Sequence, residues 1–183
     1  MDLESVKSDI EKVIISEDQL QDRLKEVAKQ IDADYQGKEL LLIGVLKGAV
    51  MVMADLTRYM NRHVEIDWMA VSSYGSGTKS SGVVRILKDL DRDITGKNVL
   101  IIEDIVDTGL TLDWLSNNLK SRGARSVEIM TVLRKPDAAL VKVDVRYVGF
   151  DIPKDFVIGY GLDFNEKYRN LPFIAVLAKH MYE

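Results

Sequence analysis

Apolar and polar positions change rhythm along the chain, and each rhythm predicts an element. Leu20, Leu24, Val27 and Ile31 fall about one turn apart with acids and lysines between them, the stripe of a helix with one covered face. Ser16 followed by Gln19 is the capping-box pair that starts such a helix, and the stripe ends near Tyr35-Gln36-Gly37. Residues 13–15 before it are a short apolar run. Residues 39–45 are apolar without alternation, as strands covered on both faces of a parallel sheet are, and Lys47-Gly48 breaks the run. Helical spacing returns over 49–60, with Val50, Met53, Ala54 and Leu56 expected to face inward. Residues 64–71 and 83–90 read as strands. Between them, 72–82 contains almost only Ser, Gly, Thr and Lys, with Tyr74 its one large side chain, a composition that buries too little surface to order itself.

A third apolar run, 99–102, leads into Glu103 and Asp104 where that strand should end. A turn of Asp107-Thr108-Gly109-Leu110-Thr111 follows, and Leu112, Leu115 and Leu119 return to helical spacing beside Trp114. Residues 126–133 form another buried strand, closed by Arg134-Lys135-Pro136, and shorter strands are expected at 145–148, 156–158 and 173–178. Strand and helix alternating from 39 to 133 imply right-handed crossovers and one parallel sheet, an α/β architecture. The two chain ends are left to pack together or over the sheet edge.

Composition narrows the chemistry. The 183 residues carry no cysteine and only two histidines, His63 and His180. Disulfides, cysteine metal clusters and histidine-centred hydrolysis are thereby disfavoured. A net charge of −4 gives no bulk attraction to nucleic acid. No apolar run reaches membrane-span length, and the opening Met1-Asp2-Leu3-Glu4 is too acidic for a signal peptide, so a cytoplasmic protein is expected.

The stretch from 99 to 112 carries the strongest chemical signal. In open parallel sheets ligands bind beyond the carboxyl ends of strands. A helix starting there presents unpaired N–H groups and a positive dipole end to an anion. Gly109 permits the tight turn, Thr108 and Thr111 add hydroxyls, and a phosphate is the natural guest. Glu103 and Asp104 would repel it, so they suit ribose hydroxyls, a magnesium ion, or both.

Glu103-Asp104 with Asp107-Thr108-Gly109-Leu110-Thr111 resembles the phosphoribosyl-diphosphate motif of the type I phosphoribosyltransferases. The resemblance is closest to the branch acting on hypoxanthine and guanine. It runs over nearly the whole chain through Leu46-Lys47-Gly48-Ala49, Ser72-Ser73-Tyr74-Gly75, Lys135-Pro136, and 156–157 with Asp163 and Arg169. It implies one domain over 1–183: a central, mainly parallel twisted sheet flanked by helices at about 37–150, with a small hood made by the chain ends. It further implies transfer of the phosphoribosyl group to N9 of a 6-oxopurine, releasing diphosphate. Asp107 would be the catalytic residue near purine N7, and 107–111 would hold the 5-phosphate. Lys47, Gly48 and Arg169 would hold the diphosphate, with Leu46–Lys47 a cis peptide. Lys135 would meet the 6-oxo group, Phe156 would stack on the base, and the Val157 backbone and Asp163 would meet the purine edge. Mg2+ would be held by Glu103, Asp104 and Asp163. Ser73 and Tyr74 would close over the site.

The implied partners are small-molecule substrates and a second copy of the chain, as homodimer or homotetramer, with no membrane or nucleic acid. Two alternatives stay open. One is a phosphoribosyltransferase for xanthine or uracil. The other is a nucleotide-sensing, RNA-binding regulator on the same fold, which would call for a clustered basic face, whereas charges here alternate in sign.

Overall fold

The computed structural model describes residues 2–73 and 84–182. A six-stranded sheet carries the centre of the chain, in the order β4-β3-β2-β5-β6-β7. Its strands are β2 (Leu41–Leu46), β3 (Glu65–Ser73), β4 (Val84–Lys88), β5 (Asn98–Val106), β6 (Ser126–Arg134) and β7 (Tyr147–Asp151). All neighbours are parallel except the edge pair β3 and β4.

Helices cover both faces because alternate strand residues point to opposite sides. Leu42, Leu100 and Ile102 pack with α1 (Glu17–Asp34) and α2 (Val50–Tyr59). Leu41, Ile43, Val99 and Ile101 pack with α3 (Leu110–Ser121) on the other face. Every central-strand side chain is thus covered, which is why these runs are apolar without alternation.

The capping box at the start of α1 forms as the sequence predicts: Ser16 Oγ accepts from the Gln19 N–H, and the Gln19 side chain accepts from the Ser16 N–H at 2.8 Å. In α2 the inward face differs from expectation. Met53 and Leu56 are buried, but Val50 and Ala54 face outward, and Val52 takes the inward place. The segment is apolar nearly all round, so periodicity could not choose the face.

The chain ends build a separate antiparallel sheet, β1-β9-β8, from β1 (Ile10–Ile15), β8 (Val157–Ile158) and β9 (Ile174–Leu177). It has its own small core of Val6, Ile158, Tyr168, Leu171, Phe173, Ala175 and Leu177. This is the hood expected from the leftover ends.

Candidate active site

The carboxyl ends of β2, β5 and β6 meet beneath the hood. β5 does not stop at its acidic pair. It runs on to Val106, pairing Ile105 with Leu133 and Val106 with Arg134 of β6. Glu103 and Asp104 therefore stand inside a strand and point to opposite sides. The expectation that they mark the strand end is corrected.

Glu103 faces a cavity of about 220 Å³ that it lines with Val45, Asp107, Thr108, Gly109 and Thr111. Asp104 faces a second cavity of about 210 Å³, lined also by Asp107, Lys135, Phe156, Val157, Leu162 and Asp163. Ile105 and Asp107 line both. The residues expected for ribose phosphate and those expected for the base are thus gathered in adjoining chambers.

Both acids feel their burial. Glu103 is held well above its ordinary pKa by desolvation, with the Asp104 charge adding to it. Asp104 is pushed up to about 6, again mainly by desolvation. A Cβ at position 48 would collide with the Asp104 carboxylate, so Gly48 is what lets that side chain lie against the loop after β2. The Leu46–Lys47 peptide is cis, as the resemblance implies.

The loop 107–109 enters α3 through Gly109, at φ +82°. No side chain caps this helix, so the first-turn N–H groups stay available to a ligand. The loop is supported from behind: the N–H groups of Leu140 and Val141 donate to the Thr108 carbonyl at 3.0 and 3.1 Å. Sequence reasoning missed this buttress, which had no signature beyond apolar residues.

Lys135 is buried, its backbone N–H tied to the Val106 carbonyl at 2.9 Å and its ammonium 3.5 Å from Asp107 Oδ2. Phe156 is 41% exposed, so the ring is no core residue. It meets Phe164 edge-on at 5.8 Å and Tyr182 at 5.4 Å, which leaves the remaining surface to the second cavity.

Arg169 pairs with Asp163 at 2.8 Å and donates from Nη1 to the Gly161 carbonyl at 2.8 Å. Lys47 pairs with Glu166 at 3.0 Å, and that contact holds the Glu166 carboxyl below its ordinary value. Glu166, absent from the sequence prediction, thus tethers Lys47. Ser73 ends β3, while Tyr74 and the rest of the expected closing segment to Gly82 lie outside the described residues.

The three acids expected for Mg2+ do not form one cage. Among the described residues no group of three or more His, Asp or Glu comes together to hold a metal. Asp104 and Asp163 do share a cavity. Two carboxylates completed by phosphate oxygens and water are a donor set magnesium accepts, so these two fit the ion and Glu103, on the other side, does not join them.

A family model described as "Phosphoribosyl transferase domain" matches residues 16–165. The chain belongs to that family. It is 55% identical over 181 residues to a hypoxanthine-guanine phosphoribosyltransferase of Mycobacterium tuberculosis, covering 96% of this chain and 90% of the other. It is 50% identical to the protein of that name from Streptococcus agalactiae, covering 97% and 98%. A solved hypoxanthine phosphoribosyltransferase from Staphylococcus aureus superposes with a TM-score of 0.95 at 46% identity, covering 98% and 97%.

Proposed function

We propose that this protein is a purine-salvage enzyme that moves the 5-phosphoribosyl group from phosphoribosyl diphosphate to N9 of hypoxanthine or guanine, giving IMP or GMP and diphosphate. The observation that carries this reading is the pair of adjoining cavities that share Asp107, one at a phosphate-type helix start and one with Lys135, Phe156 and Val157. The relatives that bear the activity by name support it.

Residues 107–111 hold the 5-phosphate through N–H groups and hydroxyls. Glu103 accepts hydrogen bonds from ribose hydroxyls. Lys135 donates to the purine 6-oxo group, which accepts, whereas the 6-amino group of adenine would present donors to a donor. Phe156 stacks on the ring, and the Val157 backbone and Asp163 meet its edge. Asp107 faces N7 and takes or shares the proton that the purine releases as N9 attacks. Bond breaking at C1 leaves positive charge on the ribose ring, beside the Glu103 and Asp104 carboxylates, and negative charge on diphosphate, which Lys47, the Gly48 N–H and Arg169 receive. Asp104 and Asp163 are the residues to hold Mg2+, which supplies charge neutralisation of the leaving group. Self-association as a homodimer or homotetramer is part of the same proposal, read by sedimentation velocity. Among the described residues no helix is long and apolar enough to cross a membrane.

Initial rates with hypoxanthine, guanine, xanthine and adenine at saturating phosphoribosyl diphosphate test the reading. The first two should be used and adenine should not. Lys135→Ala should raise KM for the base roughly tenfold or more, with KM for phosphoribosyl diphosphate moving much less. Turnover of xanthine alone, or equal effects on both constants, would contradict it.

A further inference from the structure

The loop that carries Asp163 and Arg169 is an unusual piece of backbone. Four non-glycine residues in it, Tyr160, Asn165, Glu166 and Tyr168, have positive φ between 50° and 75°. Each such residue costs free energy and persists only where surrounding contacts impose it. Within the loop, beside the Arg169–Asp163 pair, the Glu166 N–H donates to Asp163 Oδ2 at 2.9 Å, and the Tyr160 N–H donates to the Leu171 carbonyl and the Gly161 N–H to the Arg169 carbonyl, both at 2.9 Å. These fold the loop on itself but do not say where it sits.

Side chains hold it from outside: Glu166 pairs with Lys47 at 3.0 Å, the Tyr168 hydroxyl donates to Asp9 Oδ2 at 2.9 Å, and Tyr160 alone among these three ties it to the helical layer. Tyr160 is 5% exposed and reaches across to α2, where its hydroxyl donates to Asp55 Oδ2 at 2.6 Å. Gln21 of α1 donates to the same oxygen at 2.9 Å, and Tyr59 donates to Gln21 Oε1 at 2.7 Å. The phenol is desolvated, which holds its pKa above the ordinary value, so it stays a neutral donor. The next residue, Gly161, has φ +100°, and a Cβ there would collide with the Gly48 carbonyl. Gly161 also offers its own carbonyl to Arg169 Nη1 at 2.8 Å. One step from Tyr160, the hood loop therefore meets two of the three groups assigned above to the diphosphate, Gly48 and Arg169.

We propose that Tyr160, latched to Asp55 and Gln21, is a positioning residue that seats the loop 159–169 against the Lys47-Gly48 turn and so sets diphosphate affinity. The inference deepens the functional reading above and rests on it. Apart from Leu162 and Asp163, which lie on the loop itself, the base side is held by other means. Phe156 and Val157 precede the latch and are fixed by the hood pairing of Val157 with Val176, while Lys135 follows β6 of the central sheet. Loss of the latch should therefore fall on diphosphate and phosphoribosyl diphosphate, and largely spare the base.

Two readouts test this. The affinity of the full chain for inorganic diphosphate with magnesium is measured by titration calorimetry, and Michaelis constants are measured for both substrates. Tyr160→Phe removes only the hydroxyl, and Asp55→Ala removes its acceptor from the other side. Each should weaken diphosphate binding and raise KM for phosphoribosyl diphosphate about tenfold, the scale of a lost hydrogen bond to a charged group. KM for the base should change less than about twofold. Asp55→Asn, which keeps an acceptor oxygen, should recover part of the loss, and Tyr160→Phe with Asp55→Ala together should be no worse than either alone. Unchanged diphosphate affinity, equal changes in both Michaelis constants, or full additivity would overturn the latch, whatever the melting temperature does. If Tyr160→Phe does not fold, the Asp55→Ala and Asp55→Asn pair carries the test unaided. Diphosphate binding without transfer in the unmodified chain would overturn the functional reading and leave the latch to be judged on affinity.

Discussion

At the scale of single residues, Gly109 and Asp104 define what the site demands. Gly109 combines φ +82° with a position where a Cβ would come 2.6 Å from the Val141 carbonyl oxygen. Gly109→Val should abolish turnover by forcing the loop proposed to hold the 5-phosphate off its buttress, and kinetics unchanged in a folded variant would remove the loop from the mechanism. Asp104 makes a prediction in pH. Its pKa is raised from 3.8 to about 6 by burial, so between those values the folded state binds more protons than the unfolded one, and stability falls as pH rises through that window. Asp104→Asn should flatten this fall, giving a thermal midpoint that exceeds the unmodified chain's at pH 7 and converges with it near pH 4. A cation beside the carboxylate favours its ionised form, so magnesium with diphosphate should shrink the same pH dependence in the unmodified chain. These site residues were legible from residue type and spacing. The Asp107–Lys135 and Lys47–Glu166 pairs were not, because each joins distant segments with no local pattern to announce it.

At the scale of elements, boundaries followed local chemistry where that chemistry was specific. The capping box at Ser16 and Gln19 was readable because its two reciprocal hydrogen bonds need those residue types three apart. Ser16→Ala should cost about 1 kcal/mol, a fall in melting temperature of a few degrees, with both Michaelis constants unchanged; a larger kinetic than thermal effect would contradict it. β5 misled for the opposite reason. Two adjacent acids argue for a strand end, since burying a carboxylate is costly, yet the ladder to β6 continues past them. The pattern broke at the two acids that the proposed function uses. The inward face of α2 failed differently, since Val50, Val52, Met53 and Ala54 are all apolar and only the tertiary contacts decide among them.

At the scale of the whole molecule, the layer order of the central sheet followed from strand and helix alternation. The antiparallel turn-back of β4 onto β3 and the pairing of β1 with β9 from opposite ends of the chain are long-range choices that no window of sequence contains. The hood sheet has one further consequence, for synthesis. β9 is its middle strand and, among the described residues, follows both of its partners in the chain. A chain still emerging from the ribosome can complete β2, β5, α3 and the loop at 107–111 while β1 and β8 wait for the strand that joins them. Until β9 arrives, the Phe156–Val157 wall has no sheet to stand on. Translation order thus places completion of the Phe156–Val157 wall, the base side of the function proposed above, after that of the loop at 107–111.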